Sequence, residues 1–250
     1  MRLLLLAGSG EARALAGHLA RMEGVEAVAS LAGATRDPAP LPVPTRKGGF
    51  GGRAAQREYL RAGRFDAILD ATHPFAHRIK ARTADLAREL ELPCLHLIRP
   101  AWRAGPGDDW TEISHPGEAA LHVPPGATVF LATGRGTLLC FGRLASAGRR
   151  LISRQIDPPG APFPWPGGQY LVGRGPFSVA DEITLFQRLG VTWLVVKNAG
   201  GEGARAKLMA ARALGLPVLM LARPAPPPGK VVTQVAEALA WVERQRLRLG

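Results

Sequence analysis

The chain has 250 residues, 46% of them hydrophobic, which is enough to bury one large or two modest cores and excludes a mainly disordered chain. Lys and Arg total 32 against 20 Asp and Glu, for a net charge of +12, yet the arginines are scattered and aromatics make up only 6%; this points away from nucleic acid and toward a small ligand with several negative charges. No apolar run approaches the roughly 20 residues of a membrane span, and Cys94 and Cys140 lie far apart with no histidine at metal-ligand spacing, so a cytoplasmic protein without a metal is expected.

The leucine-rich start over 1–7 lacks the long apolar core and cleavage site of a signal peptide and predicts a buried strand ended by Gly8. Periodicity then predicts a helix over 11–22, a strand over 25–31, a helix over 52–62, a strand over 66–70, a helix over 74–90 and a strand over 94–98. Gly, Pro and Trp crowd residues 99–110, where a domain boundary is expected. The pattern restarts with a strand over 128–132, a helix over 138–147 and a strand over 150–153, and a Pro-rich insertion over 157–168 interrupts it. It resumes with a strand over 170–172, a helix over 179–189, a strand over 193–196, a helix over 204–214, a strand over 218–221 and a final helix over 234–246. Strands that alternate with amphipathic helices build parallel sheets. The expectation is an α/β protein of two Rossmann-like, doubly wound parallel-sheet domains, residues 1–110 and 111–250, with the active site in the cleft between them.

Ligands of open parallel sheets bind beyond the carboxyl ends of the strands, so the residues that follow each strand are the candidate site. Gly8, Ser9, Gly10 and Glu11 open the first helix, where free N–H groups and the helix dipole suit an anion. Arg13 stands where a G-x-G-x-x-G fingerprint needs its third glycine, so a tight structural turn reads equally well. Gly49, Phe50 and Gly51 lie in a glycine-rich loop that suits close backbone approach to a flat ligand. Thr72 and His73 follow the strand that ends at Asp70, and His73 is a candidate proton donor near neutral pH. The structural alternative makes Thr72 a helix cap and turns His73 to solvent. Arg99 and Trp102 offer a guanidinium for a carboxylate and an indole to cover a planar ring, or else a core contact at the boundary.

In the second half, Thr133, Gly134 and Arg135 take the equivalent place, again with the third glycine lost, here to Leu139. An NAD binder carries an acid about 20 residues further on, at the next strand end. Ser153 and Arg154 stand there instead and suit a 2′-phosphate, so NADP is preferred over NAD. Residues around 30–36 of the first half lack the acid as well. The second half is favoured for the dinucleotide because Gly173 and Arg174, and then Lys197, Asn198, Gly200 and Gly201, follow successive strands where they can line pyrophosphate and nicotinamide. Any one of these segments alone is accounted for as a turn.

This ordered set resembles the precorrin-6A reductases of cobalamin biosynthesis over essentially the whole chain. The resemblance is carried by residues 6–13, 48–52, 70–76, 99–102, 133–135 and 196–201, together with Lys207 and Pro217. The family usually has Thr where this chain has Ser9 and often Ser where it has Ala199, and the second difference removes a side-chain hydroxyl. The resemblance implies NADPH-dependent reduction of a ring-D double bond in a polycarboxylate tetrapyrrole macrocycle, giving precorrin-6B. It implies two Rossmann-like domains facing the macrocycle; combined with the strand-end motifs, residues 1–110 are expected mainly to hold the macrocycle and 111–250 mainly NADPH, with Arg13 and Lys207 on the substrate side. A macrocycle rich in carboxylates also accounts for the arginine surplus without nucleic acid or membrane. The cobalt-containing substrate of the anaerobic branch and a non-catalytic NADP-binding sensor stay open as alternatives. The sequence sets no oligomeric state and is compatible with a monomer.

Overall fold

The structure, a computed structural model, describes residues 1–33 and 38–249, so residues 34–36 of the expected acid-free segment lie outside the described residues. In chain order its elements begin β1 (Arg2–Leu6), α1 (Gly10–Leu19), β2 (Glu26–Leu31), β3 (Thr45–Lys47), α2 (Arg53–Ala62), β4 (Ala67–Asp70), α3 (His77–Glu89) and β5 (Cys94–Leu97). They continue with β6 (Trp110–Ile113), α4 (Ala119–His122), β7 (Thr128–Ala132), β8 (Arg150–Gln155), β9 (Gln169–Val172), α5 (Val179–Leu189), β10 (Trp193–Lys197), α6 (Ala206–Ala213) and β11 (Val218–Leu221). The last two are β12 (Lys230–Val232) and α7 (Val235–Leu249). No helix among the described residues is long and apolar enough to cross a membrane.

Two compact units result, Met1–Pro100 with Pro224–Gly250, and Ala101–Arg223. The first unit has an all-parallel sheet in the order β3-β2-β1-β4-β5-β12. Alternate leucines of β1 point to opposite faces, as the two-residue period of a strand requires. Leu3 and Leu5 join a core with Leu15, Leu19, Trp241 and Val242, and Leu4 and Leu6 join one with Leu60, Ile68 and Leu86. Helices α1 and α7 therefore cover one face and α2 and α3 the other, which is why this strand reads as continuous hydrophobe. The second unit repeats the order as β9-β8-β7-β10-β11-β6, also all parallel, over a core that contains Phe130, Ile152, Phe186, Val196 and Met220. Both orders are the Rossmann sequence of strands, so the expected fold class holds.

The expected domain division needs correction. Each sheet takes its sixth strand out of chain order: β6 follows β5 in the chain but pairs with β11, whereas β12 follows β11 but pairs with β5. Residues 224–250, expected in the second domain, therefore belong to the first, where Trp241 and Val242 bury apolar surface in the core around α1. The edge strands β3, β6 and β12 went unpredicted because three or four residues, such as Thr45-Arg46-Lys47, carry too little alternation to read. The helix expected over 138–147 is instead a 3-10 helix over Arg135–Phe141, with Gly136 inside it and Gly142 next after it lowering helical propensity. Helix α3 starts three residues later than expected, because Ala76 N donates to His73 O at 2.8 Å and closes a separate turn first.

Candidate functional site

In a sheet of this order, ligands gather where the strand order reverses, beyond the carboxyl ends of β1 and β4 in the first unit and of β7 and β10 in the second. In the first unit this place is a cavity of about 280 Å³. Gly8, Gly49, Phe50, Thr72 and His73, which the sequence singled out in three separate segments, all line it. Gly8 has φ +146°, a conformation that suits glycine, and a Cβ on Gly10 would meet nothing within 4 Å, so the start of α1 stands open. Ser9 is held from both sides: its Oγ accepts from Ala12 N at 3.1 Å as the helix cap and donates to Ala71 O at 2.7 Å.

Other candidates of this unit are spent on internal bonds. Glu11 Oε2 lies 2.6 Å from Arg99 Nη1. Burial pushes the Glu11 carboxyl up, but its own backbone N–H and the Arg99 charge outweigh that and hold it below the usual range. Arg13 donates to Ala39 O and Pro40 O, each at 2.8 Å, and tethers that loop to α1. His73 Nδ1 accepts from Phe75 N at 3.2 Å. The neutral ring then carries its proton on Nε2.

Beneath Thr72 and His73 lies a buried polar cluster that the sequence reading missed. Asp70 is 0% exposed, and its Oδ1 accepts from Thr72 N at 2.9 Å and Thr72 Oγ1 at 2.7 Å. Its Oδ2 accepts from His96 Nδ1 at 2.9 Å, and Lys80 Nζ lies 3.3 Å from both oxygens. Burial alone would raise the Asp70 carboxyl; the His96 hydrogen bond, the Lys80 charge and the Thr72 hydroxyl outweigh it and keep it ionised well into acid. One signal was available, since Lys80 falls in helical step with Ala84 and Ala87, on a stripe that has to be buried. Also missed is Arg46, whose Nη1 donates to Ser30 Oγ and Gly48 O, each at 2.9 Å, and whose guanidinium lies 4.3 Å from the Phe50 ring centroid.

The second unit treats its candidates differently. Ser153 and Arg154 were expected at a strand end, but β8 runs on to Gln155 and places both inside the sheet. Arg154 Nη1 and Nη2 grip Glu182 at 2.7 and 2.6 Å, both side chains are buried, and the guanidinium lies between the rings of Phe130 and Phe177 at 4.8 and 4.3 Å. The bidentate edge expected to read a 2′-phosphate thus holds a carboxylate in this structure. The residues that do follow β8 are Ile156 and Asp157.

Trp102, expected beside Arg99, belongs to this unit, where its N–H donates to Asn198 Oδ1 at 2.8 Å and its O accepts from Asn198 Nδ2 at 3.1 Å. Its indole donates to Gly201 O at 3.0 Å. Asn198 is thereby a structural clamp, and Gly200 and Gly201 have φ of +67° and +76° in the turn that follows β10. Thr133 is buried, while Gly134 (φ +76°), Arg135, Gly173 and Arg174 sit at strand ends, Arg135 and Arg174 with exposed side chains. Burial lowers the ammonium pKa of both Lys197 and Lys207, and Lys207 Nζ donates to Ala204 O at 2.8 Å. Large apolar side chains are also exposed on this unit: Leu139 at 76%, and Ile156 and Val172, after β8 and at the end of β9, at 47% each.

Comparison with known proteins agrees with this architecture. The family model for precorrin-6x reductase CbiJ/CobK matches residues 2–243. A precorrin-6A reductase of Rhodococcus erythropolis is 48% identical over 244 residues, covering 96% of this chain and 97% of its own. One from Rhodobacter capsulatus is 40% identical over 242 residues, covering 96% and 95%. A solved structure described as CobK precorrin-6A reductase superposes with a TM-score of 0.91 at 39% identity, over 98% of this chain and 97% of that one.

Proposed function

Because the chain belongs to the precorrin-6x reductase CbiJ/CobK family, we propose that it reduces precorrin-6A with NADPH, saturating a ring-D double bond to give precorrin-6B in cobalamin biosynthesis. The observation that carries the cofactor reading is the first-unit cavity, where the open, glycine-built start of α1 meets the end of β2 and no carboxylate lines the wall among the described residues. An acid there would hold a ribose hydroxyl and repel a 2′-phosphate. We therefore place NADPH on the first unit, the reverse of the sequence expectation, which rested on the glycines and cations that follow successive strands of the second half. Gly8 and Gly10 leave room for the pyrophosphate beside the helix start, and Phe50 and Ile79 offer apolar wall to the adenine.

The macrocycle then falls to the second unit. Arg135, Arg174 and Lys197 provide cations for its carboxylates, and the exposed Leu139, Ile156 and Val172 provide flat apolar surface for its rings. When bound, the nicotinamide supplies the hydride, and the chain's part is alignment and one proton. His73 holds that proton on Nε2, because Phe75 N occupies Nδ1.

Anaerobic incubation of the full chain with NADPH and precorrin-6A, read as loss of nicotinamide absorbance, tests the activity. Consumption in step with the macrocycle is expected; its absence, with NADPH nonetheless bound tightly, would turn the reading toward a sensor. A cobalt-containing ring run alongside distinguishes the two branches, and faster turnover of the metal-free ring is expected from the relatives at 40% identity and above.

A further inference from the structure

We propose that Arg82 reads the 2′-phosphate of the dinucleotide and that the buried Gln56 positions it; this rests on the reading that the first unit holds NADPH. Arg82 stands on α3 and lines the same cavity as Ser30 and Gly33, beyond the end of β2. That strand end is where Rossmann-type sheets distinguish a ribose hydroxyl from a phosphate.

Gln56, on α2, is 0% exposed and spends its amide on both sides. Its Nε2 donates to Thr83 Oγ1 at 2.8 Å, and its Oε1 accepts from Arg82 Nε at 2.6 Å. An arginine only donates, so the amide oxygen has to face Arg82, and a flipped amide would set donor against donor. The buried carboxamide thus fixes the guanidinium through Nε while its Nη groups donate to no described residue. Those Nη groups form the edge that grips phosphate oxygens. A glutamate at position 56 would orient the arginine equally well and neutralise it; a neutral amide orients it and leaves its charge for a dianion.

Arg46, the other arginine near β2, does a different job. Its Nη1 is shared between Ser30 Oγ and Gly48 O, and its Nη2 donates to Gly49 O at 3.2 Å. It braces the wall of the cavity, and Arg82 supplies the anion donor.

Calorimetric titration of the full chain with NADPH and NADH, and with 2′,5′-ADP against 5′-AMP, tests the assignment without any turnover. Arg82→Ala should weaken NADPH and 2′,5′-ADP by roughly 10- to 100-fold and leave NADH and 5′-AMP nearly unchanged, with Arg82→Lys recovering part of the loss. Gln56→Met should act in the same direction by roughly 2- to 10-fold. A merely structural glutamine would weaken all four ligands alike or none, and either result overturns the positioning role. Ser30→Glu separates the inference from the reading beneath it. If Ser30→Glu abolishes the preference for the 2′-phosphate and Arg82→Ala does not, the cavity holds the cofactor and Arg82 is not its reader. If neither variant changes NADPH binding, the cofactor lies elsewhere and both ideas fall.

Discussion

The two units share one strand order and use buried charge in opposite ways. In the first, the internal ion cluster around Asp70 lies directly under the site: the carboxylate that takes Lys80 and His96 also holds Thr72, which lines the cavity. In the second, Arg154 and Glu182 grip each other within the sheet-helix interface, and the pair itself lines a cavity with Val172 and Gly173 at the end of β9. A shared topology therefore decides where a ligand can bind, while the commitment of each charged group decides what it can bind.

The largest expected effects come from breaking these pairs. Lys80→Met and Glu182→Leu each leave a buried charge uncompensated and should each cost about 3–5 kcal/mol in denaturant unfolding. Only Lys80→Met should also weaken NADPH, through the Thr72 and His73 wall; an equal loss in Glu182→Leu would erase the contrast between the units. Trp241→Ala should cost about 3–5 kcal/mol as well, and hydrogen exchange should locate the loosening in residues 1–100 and not in 101–223, although Trp241 comes after both in the chain.

Acid should act on the first unit next. The folded-state pKa of Asp70 lies below its unfolded value of about 3.9, so its stabilisation is complete above that pH and is lost as pH falls through the folded value. Acid unfolding followed by circular dichroism should accordingly steepen below about pH 4 and lose that steepness in Asp70→Asn. The smallest effect concerns the thiols. Burial, with the Asp70 charge adding to it, pushes the Cys94 thiol up to about 12, whereas Cys140 is exposed on the second unit. A thiol reagent at mild alkaline pH should modify Cys140 quickly and leave Cys94 intact; rapid modification of both would show that the Asp70 cluster is open to solvent.

Much of the fold was legible along the chain. Leu3–Leu6 reads as a strand buried on both faces, and Gly8 and Ser9 read as its turn, because a two-residue period, a positive φ and a helix cap are all local properties. The cavity residues Gly49, Phe50, Thr72 and His73 were found by the same local logic, each following a strand or opening a helix. The Arg154–Glu182 pair was not legible because Glu182 lies 28 residues away and β8 runs on to Gln155, two residues beyond its expected end. Arg82 escaped notice because nothing near it in sequence distinguishes it from a solvated helical arginine; Gln56, which orients it, lies 26 residues back on another helix.

By itself, then, the sequence determined the alternation of strands and helices, the parallel sheets and the family resemblance, all of which rest on periodicity and short motifs that need no distant partner. Tertiary structure alone decided that the last strand and helix return to the first unit, that Arg154 pairs with the carboxylate of Glu182, and that Gln56 holds Arg82 at the wall of the first-unit cavity. The reason is physical: a charged side chain takes its function from whichever opposite charge or hydrogen-bond partner the packed elements bring within about 3 Å, and that pairing is set by burial across the fold and not by neighbours along the chain.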